Sequence, residues 1–286
     1  MTNRKLGIIG GSGLYEMDGL TKIERHEIDT PFGKPSDTYL SGEVENGTRL
    51  YFLPRHGIGH RFLPGEINYR ANLYGFKKLG VEWVVSVSAV GSMKEEIHPG
   101  DMVVPDQFLD RTRGRISTFF GEGVVAHVPF GDPVCTVLRA TVLAAAKKFA
   151  PRVHDGGTYV CMEGPAYSTR AESMAYRSLG VSVIGMTNLP EAKLAREAEI
   201  SYASLALATD YDCWHQSEGE VRADTVVEVM KKNVATARKI LKTIALTMPT
   251  EPCPWRGMLK NAIVTDPKVI PSKTRERLEL LIGKYL

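Results

Sequence analysis

Apolar residues recur along this chain in two periods. Short, nearly unbroken β-branched runs at Leu6–Gly10, Arg49–Leu53, Trp83–Val90, Met102–Pro105, Gly157–Cys161, Val181–Met186 and Ser201–Thr209 predict strands. Several lack polar alternation, as expected of central strands covered on both faces. Between them, Glu66–Leu79, Thr136–Phe149, Arg170–Leu179 and Glu191–Ala198 carry helical patterns. Thr169 followed by Glu172 makes a capping box, and Pro190 suits a first helical turn. The clearest helix begins after Asp224, where Val226, Met230, Val234, Ala237, Leu241, Ile244 and Met248 step by three or four along one face. Repeated β-then-α order predicts an α/β fold with a mixed sheet flanked by helices. Residues 1–248 show no repeat, low-complexity segment or linker and are expected to form one domain. Beyond them, Pro249, Pro252, Pro254, Pro267 and Pro271 punctuate residues 249–286. That stretch reads as an extension with a short helix, Thr274–Lys284, wrapping the domain or a neighbouring subunit.

Charge narrows the function classes. Thirty-six basic against 33 acidic side chains leave a formal charge of +3 over 286 residues. Binding a polyanion by counterion release needs a concentrated basic face. Here Lys and Arg are scattered, with local runs only at Arg111–Arg115, Lys231–Lys232 and Lys273–Arg277. No apolar run approaches the roughly 20 residues of a spanning helix, and the polar start Met1–Lys5 is not a signal peptide. Cys135, Cys161, Cys213 and Cys253 lie far apart without CxxC spacing. This pattern predicts a reduced cytoplasmic protein without a structural zinc site and with neither nucleic-acid nor membrane partners.

Candidate chemistry gathers where strands end. The first strand runs into Gly10-Gly11-Ser12-Gly13, a turn that is either a plain tight turn or an anion cradle of backbone N–H groups with a Ser12 hydroxyl. The spacing meets neither the dinucleotide fingerprint nor the P-loop. Arg55 and His56 follow the second strand; they read as a surface pair, or as a donor fork for phosphate at an edge where α/β sheets gather ligands. Ser88 and Ala89 lie at another strand end. Tyr167, beside a Gly-Pro turn, is core packing or the wall of a ring-shaped ligand, and Met186 is by default a core residue. Asp210 and Asp212 close the last apolar strand. In extended backbone they point to the same side, and with no metal shell nearby they suit the reading of donor groups on a base.

Taken together in order, the motifs GIIGGSG at Gly7–Gly13, PRHG at Pro54–Gly57, NYRANL at Asn68–Leu73, EEIHPGD at Glu95–Asp101, DQFLDRT at Asp106–Thr112, EGPAYSTRAES at Glu163–Ser173, GMTNLPEAKLAREA at Gly185–Ala198 and ATDYDCW at Ala208–Trp214 resemble the 5′-methylthioadenosine phosphorylases of the trimeric purine nucleoside phosphorylase superfamily. The resemblance spans Gly7 to about Met248. It implies a single-domain, distorted barrel-like mixed sheet, and a homotrimer or a hexamer of two trimers. By the same resemblance Ser12, Arg55, His56, Ser88, Ala89 and Thr187 hold phosphate, Met186 lies near the ribose, and Tyr167 walls the purine. Asp210 and Asp212 recognise adenine. His127 closes the 5′ pocket of the adjacent subunit, with Ser168 and Ala223 at other pocket positions. Ser12 stands where many relatives have Thr, and Ala166 where many have Arg.

The activity implied is that of a pentosyltransferase of methionine and purine salvage. It phosphorolyses S-methyl-5′-thioadenosine to adenine and S-methyl-5-thio-α-D-ribose 1-phosphate, with inorganic phosphate as co-substrate and no cofactor. Purine nucleoside or 5′-methylthioinosine phosphorolysis is the nearest alternative. Those 6-oxopurine relatives typically carry Asn where this chain has Asp210. A non-catalytic nucleoside sensor is the alternative from another class; it has no need of an oxyanion cradle.

Overall fold

The computed structural model describes residues 4–215 and 223–286, with the side chains of Ser12, Thr225 and Lys232 outside that description. In chain order the elements are β1 (Lys5–Gly10), β2 (Thr21–His26), β3 (Tyr39–Glu43), β4 (Arg49–Pro54), α1 (Tyr69–Lys78), β5 (Trp83–Ser92), β6 (Met102–Val104), β7 (Gln107–Arg111), α2 (Thr136–Phe149), β8 (Val153–Asp155), β9 (Thr158–Met162), α3 (Arg170–Ser178), β10 (Val183–Gly185), α4 (Asn188–Glu197), β11 (Ser201–Asp210), α5 (Ala223–Leu246) and α6 (Ser272–Ile282).

The apolar runs become the centre of one mixed sheet, ordered β2-β3-β4-β1-β5-β10-β9-β7. A branch leaves β5 through β11 to β6 and then β8. The sheet does not close, so the barrel-like outline expected from the resemblance is replaced by an open, branched sheet. β5 and β11 lie parallel in register from Trp83 opposite Ser201, and all but the last residue of β11 are buried. Each large aliphatic side chain buried there contributes about 1.5–3 kcal/mol relative to exposure.

How β5 is flanked creates the opening for a site. Its first half pairs with β1, from Leu6 opposite Trp83 to Ile9 opposite Ser86. Its end pairs with antiparallel β10, Ile184 opposite Gly91. Among the described residues, no strand covers that edge between Ser86 and Gly91. Its backbone groups must then be satisfied by side chains or a ligand.

Local signals act where the sequence places them. Thr169 caps α3 in a reciprocal capping box with Glu172, and Asn68 caps α1 by accepting from the Ala71 N–H. Leu189 is extended, so the regular turns of α4 begin at Pro190. The tail packs into the same hydrophobic core through Cys253, Trp255, Leu259, Leu278 and Leu281. Glu199 fastens it: its carboxylate accepts from the Leu259 N–H at 3.0 Å, from Lys284 Nζ at 2.6 Å and from the Tyr285 hydroxyl at 2.7 Å.

Candidate active site

Arg55 follows β4 and turns inward. Its Nε and Nη2 donate to the Glu191 carboxylate at 2.8 and 3.0 Å, both side chains being almost fully buried. Nη2 also reaches Ser86 Oγ at 2.6 Å, and Nη1 donates to the Val87 carbonyl at 3.1 Å on the uncovered edge of β5. Burial opposes the guanidinium's charge, but the Glu191 carboxylate outweighs it and holds the pKa above the ordinary value. Arg55 is therefore a fixed cation beneath the β5 edge, with two hydrogens on Nη1 and one described acceptor there.

Next to it, His56 Nδ1 lies 2.9 Å from the Phe62 carbonyl, which requires that nitrogen to be the donor. Burial pushes this imidazole's pKa down to about 4, so the ring is neutral at physiological pH with Nε2 as an acceptor. His60 stacks on it with ring centroids 4.1 Å apart.

Three hydroxyls close by, Ser88 Oγ, Thr187 Oγ1 and that of Tyr159, are buried without a hydrogen bond of good geometry among the described residues, the Tyr159 hydroxyl lying against Ser88 and the Thr187 backbone. Leaving such groups unsatisfied costs about 1–3 kcal/mol each. Gly185 makes room for the ring, since a side chain there would collide with the Tyr159 hydroxyl. Ser88 sits in the gap of β5, beside the half-buried Ala89, and Thr187 follows β10. The arrangement fits an oxyanion that accepts from these hydroxyls. The backbone of Gly11-Ser12-Gly13 faces α5, where Arg238 Nε donates to the Gly13 carbonyl at 2.8 Å; the Ser12 hydroxyl lies outside the described residues.

The two carboxylates stand at the other end. Asp210 pairs opposite Gly91, three residues beyond Ser88 and roughly 10 Å along the strand. Its Oδ2 accepts from Thr209 Oγ1 at 2.7 Å and its Oδ1 from the Asp212 N–H at 2.8 Å. The extended geometry expected of the pair is absent. Tyr211 leaves the strand and Asp212 has a φ of 54°, opening a short helical turn. Asp212 thus turns inward, is buried, and accepts from Ser173 Oγ at 2.6 Å. Burial raises its pKa above the usual carboxylate value, against the opposing hydrogen bonds of Ser173 and Ser168. Trp214 Nε1 donates to the Ser92 carbonyl at 2.7 Å and locks the turn against β5.

The remaining candidates divide. Tyr167 is 42% exposed and so is not core packing, and the Asp210 charge reaches its hydroxyl. Ser168 is buried near Asp212, and Met186 is half-buried with its sulfur against Gly164. Ala223, at the start of α5, is exposed. His127 is exposed as well, on a segment tied to the tail by its own N–H, which donates to the Ala262 carbonyl at 2.9 Å. None of its described contacts is with the carboxylates or the hydroxyl cradle of its own chain. Sequence reasoning missed Glu191, Ser86 and Tyr159; the only local signal was their place within or beside the strand-end motifs.

A hydroxyl-lined oxyanion cradle set apart from a carboxylate pair at one edge of an α/β sheet is the arrangement of a phosphate-using enzyme acting on a base-bearing substrate. The chain belongs to the Phosphorylase superfamily, whose model matches residues 5–245, and within it to the S-methyl-5′-thioadenosine phosphorylases. The relative from Geobacter sulfurreducens bearing that name is 59% identical over 98% of this chain and 99% of its own. One from Synechocystis is 54% identical over 100% and 89% respectively. Among solved structures, a methylthioadenosine phosphorylase from an Antarctic soil metagenomic library superposes with a TM-score of 0.91 at 48% identity, covering 98% of this chain and 99% of the other. The Schistosoma mansoni methylthioadenosine phosphorylase in complex with adenine has a TM-score of 0.82 at 37% identity, with 98% of each chain covered.

Proposed function

We propose that the protein catalyses phosphorolysis of S-methyl-5′-thioadenosine, giving adenine and S-methyl-5-thio-α-D-ribose 1-phosphate, a step of methionine and purine salvage. The observation that carries this reading is the pair of buried hydroxyls of Ser88 and Thr187, neither with a hydrogen bond of good geometry among the described residues. Ser88 lies in the β5 gap and Thr187 just after β10, with Asp210 opposite Gly91, three residues along β5 from Ser88. Phosphate seated there, over the buried Arg55 cation, stabilises the cationic ribosyl group as the N-glycosidic bond breaks and then bonds to C1′. Asp210 protonates N7 of the departing base, Asp212 accepts from its 6-amino group, and Tyr167 covers the ring face. Carboxylates suit an amino donor, which favours adenine over a 6-oxopurine; the Schistosoma mansoni relative, as an S12T variant, was solved with methylthioadenosine bound. A sensor would leave the cradle without a purpose.

The chemistry runs on phosphate, carboxyls and hydroxyls alone, so we assign no metal or organic cofactor. The protein acts as a cytoplasmic homotrimer, or as two such trimers paired. Adenine release from S-methyl-5′-thioadenosine is expected only when inorganic phosphate is present, and at the same rate after exhaustive dialysis against a chelator. Steady-state absorbance assays check both. Equal adenine release in phosphate-free buffer would replace phosphorolysis with hydrolysis.

A further inference from the structure

Arg115 lies in the irregular segment after β7, at the end of the basic run Arg111–Arg115. Its side chain is only 2% exposed. All five of its N–H groups find acceptors on two loops. Nη1 donates to the carbonyls of Met186 at 2.6 Å and Leu189 at 2.9 Å. Nη2 donates to those of Glu163 at 2.5 Å and Met162 at 3.4 Å, and Nε reaches Glu163 Oε1 at 3.2 Å. Met162 and Glu163 open the loop that carries Tyr167 and Ser168. Met186 and Leu189 bracket Thr187. Nη1 also reaches the Tyr69 hydroxyl of α1 at 3.3 Å, with the ring 5.8 Å from the guanidinium.

We infer that Arg115 is a positioning residue: its planar fork fixes the distance between the loop that walls the base and the loop that holds ribose and phosphate. This rests on the phosphorolysis proposed above. A guanidinium suits the task because it can hold carbonyls on two sides of one plane. An ammonium has three donors at a single point and cannot span both loops. Its charge also reaches the anion side, since Arg115 is one of the cations that depress the His56 imidazole. Errors of about 1 Å in such separations cost on the order of 100-fold in rate.

The test is Arg115→Lys in the full-length enzyme, with folding checked by circular dichroism and the wild type turned over in the same assay. The KM values for nucleoside and for inorganic phosphate are both expected to rise by about tenfold or more. A residue that only supported folding would lower the active fraction and leave both KM values alone. Wild-type values for both, whatever the loss in melting temperature, would overturn the proposal. Should the Lys variant not fold, Glu163→Ala loosens the same fork on the base side only. It is expected to raise the nucleoside KM about threefold or more and to spare phosphate; an unchanged nucleoside KM would overturn the proposal. An inactive wild type would instead remove the phosphorolysis reading itself.

Discussion

Asp210 and Asp212 are two residues apart yet sit in different surroundings, and their roles should separate accordingly. Asp210 is half-buried at the strand end, its carboxylate oriented by Thr209 and by the Asp212 N–H. Asp212 is buried and accepts from Ser173 Oγ, burial raising its pKa above the usual carboxylate value against that hydrogen bond. Asp210→Asn removes the acid that protonates the leaving base, so kcat/KM on S-methyl-5′-thioadenosine should fall by about 100-fold or more. Activity on 6-oxopurine nucleosides should fall less or rise, because an amide beside N7 can also donate to the adjacent 6-oxo oxygen. Asp212→Asn should erode selectivity for adenine over a 6-oxopurine more than it slows turnover. Full activity in the first variant with loss in the second would exchange the two roles.

Among the elements, α4 carries the most burden for its length. Its N-terminal turn supplies Glu191 to Arg55, and its C-terminal turn supplies Glu197 to a different segment. The Glu197 carboxylate, 6% exposed, accepts from the Phe119 N–H and from Thr118 Oγ1, both at 2.7 Å. Burial lifts its pKa to about 7, with those hydrogen bonds pulling the other way. Raised above its unfolded value, this group contributes stability that is fully present below about 4.5 and is lost as pH rises through about 7. Glu197→Gln removes that titration. The melting temperature of the wild type relative to this variant should therefore decline across that window, and a constant difference would show that Glu197 does not titrate there. Element boundaries show the same dependence on context. β1, β4, β5 and β11 were readable as apolar runs, because strands covered on both faces need little polar alternation. β2, Thr21–His26, was not: nearly all of it is exposed, and it is a strand only because β3 pairs with it. β8 has three residues and takes its form from β6.

At the scale of the molecule, none of the described contacts of one candidate residue is with the hydroxyls or carboxylates of its own chain. His127 is exposed on a segment stitched to the tail by the Ala126–Ile263 bridge and by the Thr265 hydroxyl, which accepts from the Val125 N–H at 2.8 Å. A residue so fixed, yet distant in its contacts from the carboxylates, suits completion of a neighbour's site. Light scattering at assay concentration should report a trimer or a hexamer. Co-refolded equal mixtures of two impaired variants, His127→Ala and Asp210→Asn, should regain about one intact site in four if the histidine crosses an interface. If it serves its own chain, no site in the mixture is intact and activity will not return.

The sequence by itself determined the features whose causes lie within a few residues or within an ordered set of motifs. These include the buried runs of β1, β4, β5 and β11, the Thr169–Glu172 cap, the long apolar stripe of α5, and the strand ends that hold the site. It named Asp210 and Asp212 but not the turn that sets them apart, in which Asp212 has a φ of 54°, its N–H donates to Asp210 Oδ1, and Trp214 Nε1 anchors the segment to the distant Ser92 carbonyl of β5. Only the tertiary structure decided that the sheet stays open, that β5 is uncovered between Ser86 and Gly91, and that Arg55 and Arg115 are buried. A charged side chain in a sequence reads as surface because burying it unpaired is prohibitive. Glu191 lies 136 residues from Arg55, and the Met186 carbonyl 71 residues from Arg115. Such partners remove the penalty only after the chain has folded, so no local pattern announces them.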